Sequence, residues 1–180
     1  ERLIESLRSF GDPVGEHIGN MPYVNWQQAF DPLLTPGARN YWKSHNFKEL
    51  GDRAIDLMVE YAGKLPSPHC EIFITYLEGK SSSVPVNAMA YPSRDLKYIL
   101  NVHGRWDDAK QDKDCINWAR EFFNATLKYA SGGAYVNFMT EEEEDRVAKA
   151  YGPNYNRLAQ IKKKYDPNNL LRYNQNIKPV

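Results

Sequence analysis

Residues 97–102 alternate in a way that admits one secondary structure. Tyr98, Leu100 and Val102 point to one side of an extended chain, while Lys97, Ile99, Asn101 and His103 point to the other. Such a strand has an apolar face that must be covered and a mixed face that is free to meet another domain or a ligand. Two amphipathic segments can supply the cover. The first is expected to be capped by Asn46 and to bury Phe47, Leu50, Ala54, Leu57, Met58 and Tyr61 at i, i+3, i+4 and i+7 before ending near Gly63. The second opens at Asp107 or Asp108, runs to about Tyr129 with Ile116, Ala119, Phe122, Phe123, Leu127 and Ala130 as its stripe, and stops at Ser131-Gly132-Gly133. Residues 70–77, rich in β-branched and aromatic side chains, and a short stretch over 40–43 are expected to pair as further strands. The fold class that follows is α+β, an antiparallel sheet covered on one face by helices.

Around this centre the chain is less regular. Leu3, Ile4 and Leu7 give residues 2–10 a helical spacing, and Gly11, Asp12 and Pro13 end it. Residues 11–40 read as loop, with a short helix possible over 24–30. After Gly133 a short strand is expected over 134–139. The acidic run 141–145, preceded by Thr140, then reads as a capped and solvated helix start whose charge complements the helix dipole. A last helix over 155–164 ends before Asp166-Pro167.

Composition removes several function classes. Lys plus Arg and Asp plus Glu both number 23, so no net field favours nucleic acid or an anionic membrane, and neither partner is expected. No apolar run approaches the roughly 20 residues that a membrane span needs, and charges interrupt the first residues where a signal-peptide core would lie. Cys70 and Cys115 read as buried thiols, and the isolated His17, His45, His69 and His103 have no metal-ligand spacing, so no metal site is expected. Gly132-Gly133 precedes an expected strand and Gly11, Gly15 and Gly19 lie in a loop. Neither set has the strand, turn and helix order of a dinucleotide-binding fingerprint. The 12 Tyr and 4 Trp suit the wall of a small-molecule pocket as well as a core.

The segment from 132 to 177 carries several motifs in order: Tyr135-x-Asn137, then Tyr151-Gly-x-Asn154-Tyr-x-Arg157-Leu, then Lys162-x-Lys164-Tyr-Asp-Pro-x-Asn169, then Gln175-x-Ile177. This series resembles the C-terminal signature of berberine bridge enzyme-like oxidases, in the vanillyl-alcohol oxidase superfamily. MPYVNWQQAFD, RNYWKSHNF and AYPSRDLKYILNV with GRWDD are similar to bacterial members as well. Two departures stand out: Glu78-Gly79 where members commonly have Gly-Gly, and Ser93 where a His often precedes the Arg matching Arg94.

The resemblance implies a division into residues 1–131, the C-terminal part of a substrate-binding domain, and residues 132–180, a strand and helical segment that packs on a flavin domain lying outside this chain. It implies FAD as cofactor, tethered through that other half, and hydride transfer from a small-molecule substrate with dioxygen as acceptor. Under it Tyr135 is the candidate base, Asn137, Asn174 and Gln175 are candidate flavin contacts, and Tyr76, Asn101 and His103 are candidate substrate contacts on the sheet. A free phenol has a pKa of about 10, so a catalytic Tyr135 needs positive neighbours or a shared proton. Read without the resemblance, Tyr135 and Tyr76 are packing aromatics and His103 a structural histidine. The competing function is a binding, coat or scaffold protein that keeps the fold without flavin. Substrate, oligomeric state and compartment stay open.

Overall fold

The computed structural model of the protein describes residues 4–12, 14–173 and 175–180. Leu3, Pro13 and Asn174 therefore lie outside the described residues. The chain divides into two units, Glu1–Pro36 and Gly37–Val180. In the first, helix α1 (Glu5–Arg8) and helix α2 (Tyr23–Gln28) are separated by loop, and none of the described residues is buried. Arg8 pairs with Glu16 at 2.6 Å, and Trp26 meets Phe30 edge-on at 5.4 Å.

The second unit is built on three strands, β1 (Arg39–Phe47), β2 (Glu71–Tyr76) and β3 (Tyr98–Trp106), in the order β1-β3-β2 with both pairings antiparallel. Helix α3 (Asp52–Ala62) follows β1, and the short α4 (Lys80–Ser83) follows β2. Helix α5 (Asp112–Thr126) comes after β3, and α6 (Val147–Tyr151) and α7 (Tyr155–Tyr165) complete the unit. The central strand is the one whose alternation is clearest. Its register sets Tyr41 opposite Gly104, Lys43 opposite Val102, His45 opposite Leu100 and Phe47 opposite Tyr98, with Ile72, Ile74 and Tyr76 on the other flank of the same face.

Helices α3 and α5 cover that face. Leu100, Val102, Phe47 and Phe122 are fully buried, and Ala54, Met58, Cys115, Trp118 and Ala119 complete the core with them. Phe122 stacks on Tyr61 at 4.8 Å, which locks α5 to α3; burying one such ring contributes about 2–3 kcal/mol. The buried stripe of α5 is Cys115, Trp118, Ala119, Phe122 and Thr126, rotated from the expected one. Thr126 Oγ1 donates to Phe122 O at 2.9 Å as the helix ends, and Leu127 falls into an exposed turn. Asp112 anchors the other end, accepting from Arg39 at 2.5 Å and Trp106 Nε1 at 2.6 Å.

Four expectations are corrected. The strand expected over 40–43 extends to Phe47, so Asn46 pairs with Ile99 in the sheet and does not cap a helix; α3 begins five residues later, behind Gly51. Continued pairing along β3 gives nine residues a ladder partner and puts Phe47 in the core, which outweighs a single cap. Residues 134–139 form no strand. Gly132 and Gly133 take positive φ (80° and 72°), and a 3-10 turn over Val136–Phe138 closes its hydrogen bonding locally, Phe138 N–H donating to Tyr135 O at 2.9 Å. The acidic run is a helix start capped by Thr140, as expected, with Glu142, Glu144 and Asp145 exposed, but it is 3-10 over Glu141–Arg146 and kinked at Glu143, whose side chain is buried instead of solvated. The mixed face is not wholly free either, because on β1 and β3 the chain's own later segment covers it, with Phe138 edge-on to Trp42 at 6.4 Å.

Candidate active-site cleft

The side chains on the mixed face are Trp42, Ser44 and Asn46 from β1, Ile99, Asn101, His103 and Arg105 from β3, and Glu71, Phe73 and Thr75 from β2. At the Ile99–Thr75 end a cleft of about 610 Å³ opens. Leu77 and Ser81 bound it on the β2 side, Tyr91, Pro92 and Arg94 on the loop before β3, and Tyr135–Phe138 with Tyr151 on the opposite side. Volume and lining fall in the range of small-molecule sites, which are apolar and aromatic with a few placed polar groups.

Tyr135 is half-buried in this wall. Tyr91 lies edge-on to it at 6.1 Å and Phe138 at 5.1 Å, so the ring is held from two sides. Its phenolic oxygen accepts a hydrogen bond from Asn137 Nδ2 at 3.0 Å. Burial pushes the Tyr91 and Tyr151 phenols upward, against any charged role for them. Arg94 lies over the Tyr91 ring at 4.9 Å and donates to Ser81 O at 2.8 Å, which ties the loop to α4.

The other candidates are dispersed. Tyr76 has the opposite parity to Thr75 and Leu77, so it stands on the helix-side face, against Tyr98 at 5.3 Å, and donates to Glu78 at 2.7 Å. That bond to Glu78 raises its pKa. Asn101 and His103 are buried further along the mixed face. His103 Nδ1 is 2.8 Å from Glu71 and Nε2 is 3.2 Å from Asn40, with Trp42 edge-on at 5.1 Å. Burial lowers its pKa despite the opposing pull of Glu71. Gln175 Nε2 donates to Met139 O at 3.1 Å, pinning the tail beside the 3-10 turn. Tyr135 and Asn137 are therefore brought together, while Tyr76, Asn101, His103 and Gln175 are not among the residues lining the cleft.

Sequence reasoning missed the parts that shape the cleft. Asn154, in the Tyr-Gly-x-Asn motif, is buried and aims its amide at Val86 O (2.7 Å), Met89 O (3.0 Å) and Ala90 O (3.5 Å), clamping the loop that leads to Tyr91. The motif was visible, but its partner was not. Glu142 and Glu143 hold the segment carrying Tyr135 to the sheet and α5. Glu142 accepts from Lys43 at 2.8 Å, from Arg120 at 2.7 Å and from the Tyr41 hydroxyl, and Glu143 pairs with Arg146 and with Lys43 at 3.5 Å. Burial opposes the charge of Glu142, but the bonds from Lys43, Tyr41 and Arg120 outweigh it and hold the carboxyl at about 2. Among the described residues no His, Cys, Asp and Glu side chains group as metal ligands.

The open sheet face of this α+β layer thus carries a tyrosine-walled cleft of small-molecule size, closed by the Tyr-x-Asn turn. Residues 134–178 match the family described as berberine and berberine like. Over 98% of its length the chain is 31% identical to an FAD-linked oxidoreductase of Dictyostelium discoideum, and over its full length 25% identical to an uncharacterized FAD-linked oxidoreductase of Bacillus subtilis. It spans 39% and 40% of those two proteins. In fold, 79% of it superposes on a glycopeptide hexose oxidase complexed with teicoplanin (TM-score 0.71, 22% identity) and on berberine bridge enzyme from Eschscholzia californica (TM-score 0.70, 20% identity), covering 33% of each. The chain thus carries a berberine-like segment over residues 134–178, and the relatives it matches, of which it spans about two fifths, are FAD-linked oxidoreductases.

Proposed function

We infer that the protein containing this chain oxidises a small molecule bearing an alcohol, sugar or amine group, using FAD with dioxygen as final acceptor, and that Tyr135 is the base. The observation that carries this reading is the Tyr135 phenol in the cleft wall, its oxygen accepting from Asn137. When bound, FAD supplies the hydride acceptor. The residues present fit the ring end of such a cofactor: flat aromatic walls and the Asn137 amide suit a planar heterocycle, while the chain has no glycine-rich phosphate loop.

Tyr135 takes the proton of the substrate hydroxyl or amine as its carbon is oxidised. Asn137 holds the phenol oxygen in place through its N–H. Tyr91 and Phe138 fix the ring, and the apolar walls exclude water. By the family resemblance a covalent tether is supplied from outside this chain. By the same reading the chain alone is inactive, the 132–180 segment packs on the flavin domain as well as on its own sheet, and residues 1–131 belong to the substrate domain. Asn101, His103, Tyr76 and Gln175 stand off the cleft lining and act through the sheet and tail.

The test is Tyr135→Phe in the full-length enzyme, with anaerobic flavin bleaching followed by stopped flow on a substrate found by screening sugars and alcohols. Phenylalanine keeps the packing and removes the oxygen. Loss of a general base lowers the chemical step by about 10²- to 10⁴-fold, with kcat and kcat/KM falling together. Bleaching within about threefold of the parent, far below that range, assigns Tyr135 to the wall alone. A full-length protein that shows no visible flavin band and cannot be reconstituted returns the chain to the scaffold reading.

A further inference from the structure

The oxidase chemistry leaves two thiols unused, and they lie side by side in the core. Cys70 stands at the entry to β2, its Sγ 3.4 Å from both the N–H and the C=O of Arg105 on β3. Cys115 lies in the first turn of α5, directly above the same stretch of β3. The close approach depends on Gly104: a Cβ there would meet Tyr41 O at 3.2 Å, the Trp106 ring at 3.3 Å and Cys115 O at 3.6 Å. With no side chain at Gly104, helix and sheet meet there: the register that sets Glu71 opposite His103 brings Cys70 beside Gly104, Cys115 sits over the same glycine, and both thiols belong to one core cluster. Both are buried and both are free.

We propose that Cys70 and Cys115 close into a disulfide when the chain folds under oxidising conditions, stapling α5 to the edge where β2 joins β3. The oxidant is a small-molecule disulfide such as oxidised glutathione. One thiolate attacks it and releases one glutathione thiol, and the second cysteine then displaces the other. Two thiols lose two protons and two electrons, and one disulfide is reduced to two thiols. In the folded state both thiols are buried, out of reach of a glutathione-sized disulfide, so the native reduced pair resists attack. The bond therefore forms during folding, before the core closes. The ring it makes contains β2, α4, the clamped loop and all of β3, which together supply the cleft wall outside the 135–151 segment.

The experiment refolds the full-length protein from denaturant in a reduced and oxidised glutathione buffer, and in parallel in excess dithiothreitol. Free thiols are blocked with N-ethylmaleimide in denaturant before proteolysis and peptide mass mapping. The expected result is one linked peptide pair joining Cys70 to Cys115 in the glutathione sample, absent after dithiothreitol. With it comes a thermal midpoint higher by about 5–15 °C, from the entropy of a closed loop of about 45 residues. The same protein folded reduced, then exposed to the glutathione buffer, links at least tenfold more slowly. Recovery of both cysteines as maleimide adducts from the refolded sample, or as glutathione adducts or bridges to other cysteines, overturns the proposal. The readout is made on the parent sequence, so it does not depend on a cysteine variant folding.

Discussion

Glu143 offers the sharpest test of how the cleft-bearing segment is held. The side chain is 3% exposed, receives Arg146 and Lys43, and accepts from Thr140 N–H at 3.1 Å. Glu143→Ala removes the carboxylate and leaves both cations where they are. Lys43 keeps Glu142 at 2.8 Å, and Arg146 keeps the carbonyls of Ser44 (3.2 Å) and Gly133 (2.9 Å), but the guanidinium has lost its countercharge at a largely buried position. Breaking a buried pair from one side costs about 3–5 kcal/mol. The retained contacts put this case near the lower end, about 3 kcal/mol, or roughly 6–12 °C in thermal midpoint for a domain of this size. Thermal unfolding followed by circular dichroism reads it, with Glu144→Ala, at an exposed neighbour, as the control expected within about 0.5 kcal/mol. Glu143→Ala combined with Arg146→Met should cost less than Glu143→Ala alone, because no unpaired charge remains. A single variant within about 2 °C of its parent, against the several degrees that a broken buried pair implies, would refute the latch.

Further expectations rest on other contacts. His45 is buried, stacked on Phe123 at 4.0 Å with Nε2 2.9 Å from Phe123 O, and burial holds its pKa at about 4. Protonation therefore favours the unfolded chain, and stability should fall by roughly 3 kcal/mol as pH drops from about 6.5 to about 4. Urea midpoints across that range check it, and His45→Gln should flatten the slope. Glu142, depressed to about 2, has the carboxylate sign: its contribution is present above about pH 4.5 and is lost as pH falls toward 2, a limb that Glu142→Gln should remove. Asn154→Ala releases three carbonyls and should cost about 1–3 kcal/mol, with limited proteolysis appearing in the 85–94 loop. Gly104→Ala should destabilise by about 1–3 kcal/mol in a denaturant titration, since its nearest new contact is the Tyr41 carbonyl of the paired strand.

What could be read from sequence was what depends on one element at a time. β3 alternates because one of its faces is purely apolar, and α3 and α5 carry stripes of the right period, so the sheet and its helical cover were legible before any pairing was known. β1 was cut short for the opposite reason. Lys43, Ser44, His45 and Asn46 form a polar run without alternation, and they are buried because partners arrive from elsewhere: Glu142 and Glu143 on Lys43, the Phe123 carbonyl on His45. Glu143 was misjudged on the same ground, since a carboxylate that looks solvated in sequence is buried by a lysine about a hundred positions away. The face taken by Tyr76 depended on a parity that only the pairing of Tyr76 with Tyr98 decides.

The Tyr135–Asn137 contact makes a different point, because it forms although the secondary structure expected there does not. In a strand, residues i and i+2 leave the same face; in the 3-10 turn over Val136–Phe138 the chain folds back so that Asn137 Nδ2 still reaches the Tyr135 oxygen, at 3.0 Å. The turn also sets Phe138 against both Tyr135 and Trp42, which a strand would not do, because residues 135 and 138 would then leave opposite faces. Phe138 thereby links the phenol to the sheet, and Trp42 carries the contact on to His103 at the far end of the mixed face. The local motif determines which two polar atoms meet. The aromatic chain from Tyr135 through Phe138 to Trp42 determines where on the sheet that meeting occurs, and only the folded chain contains that second relation.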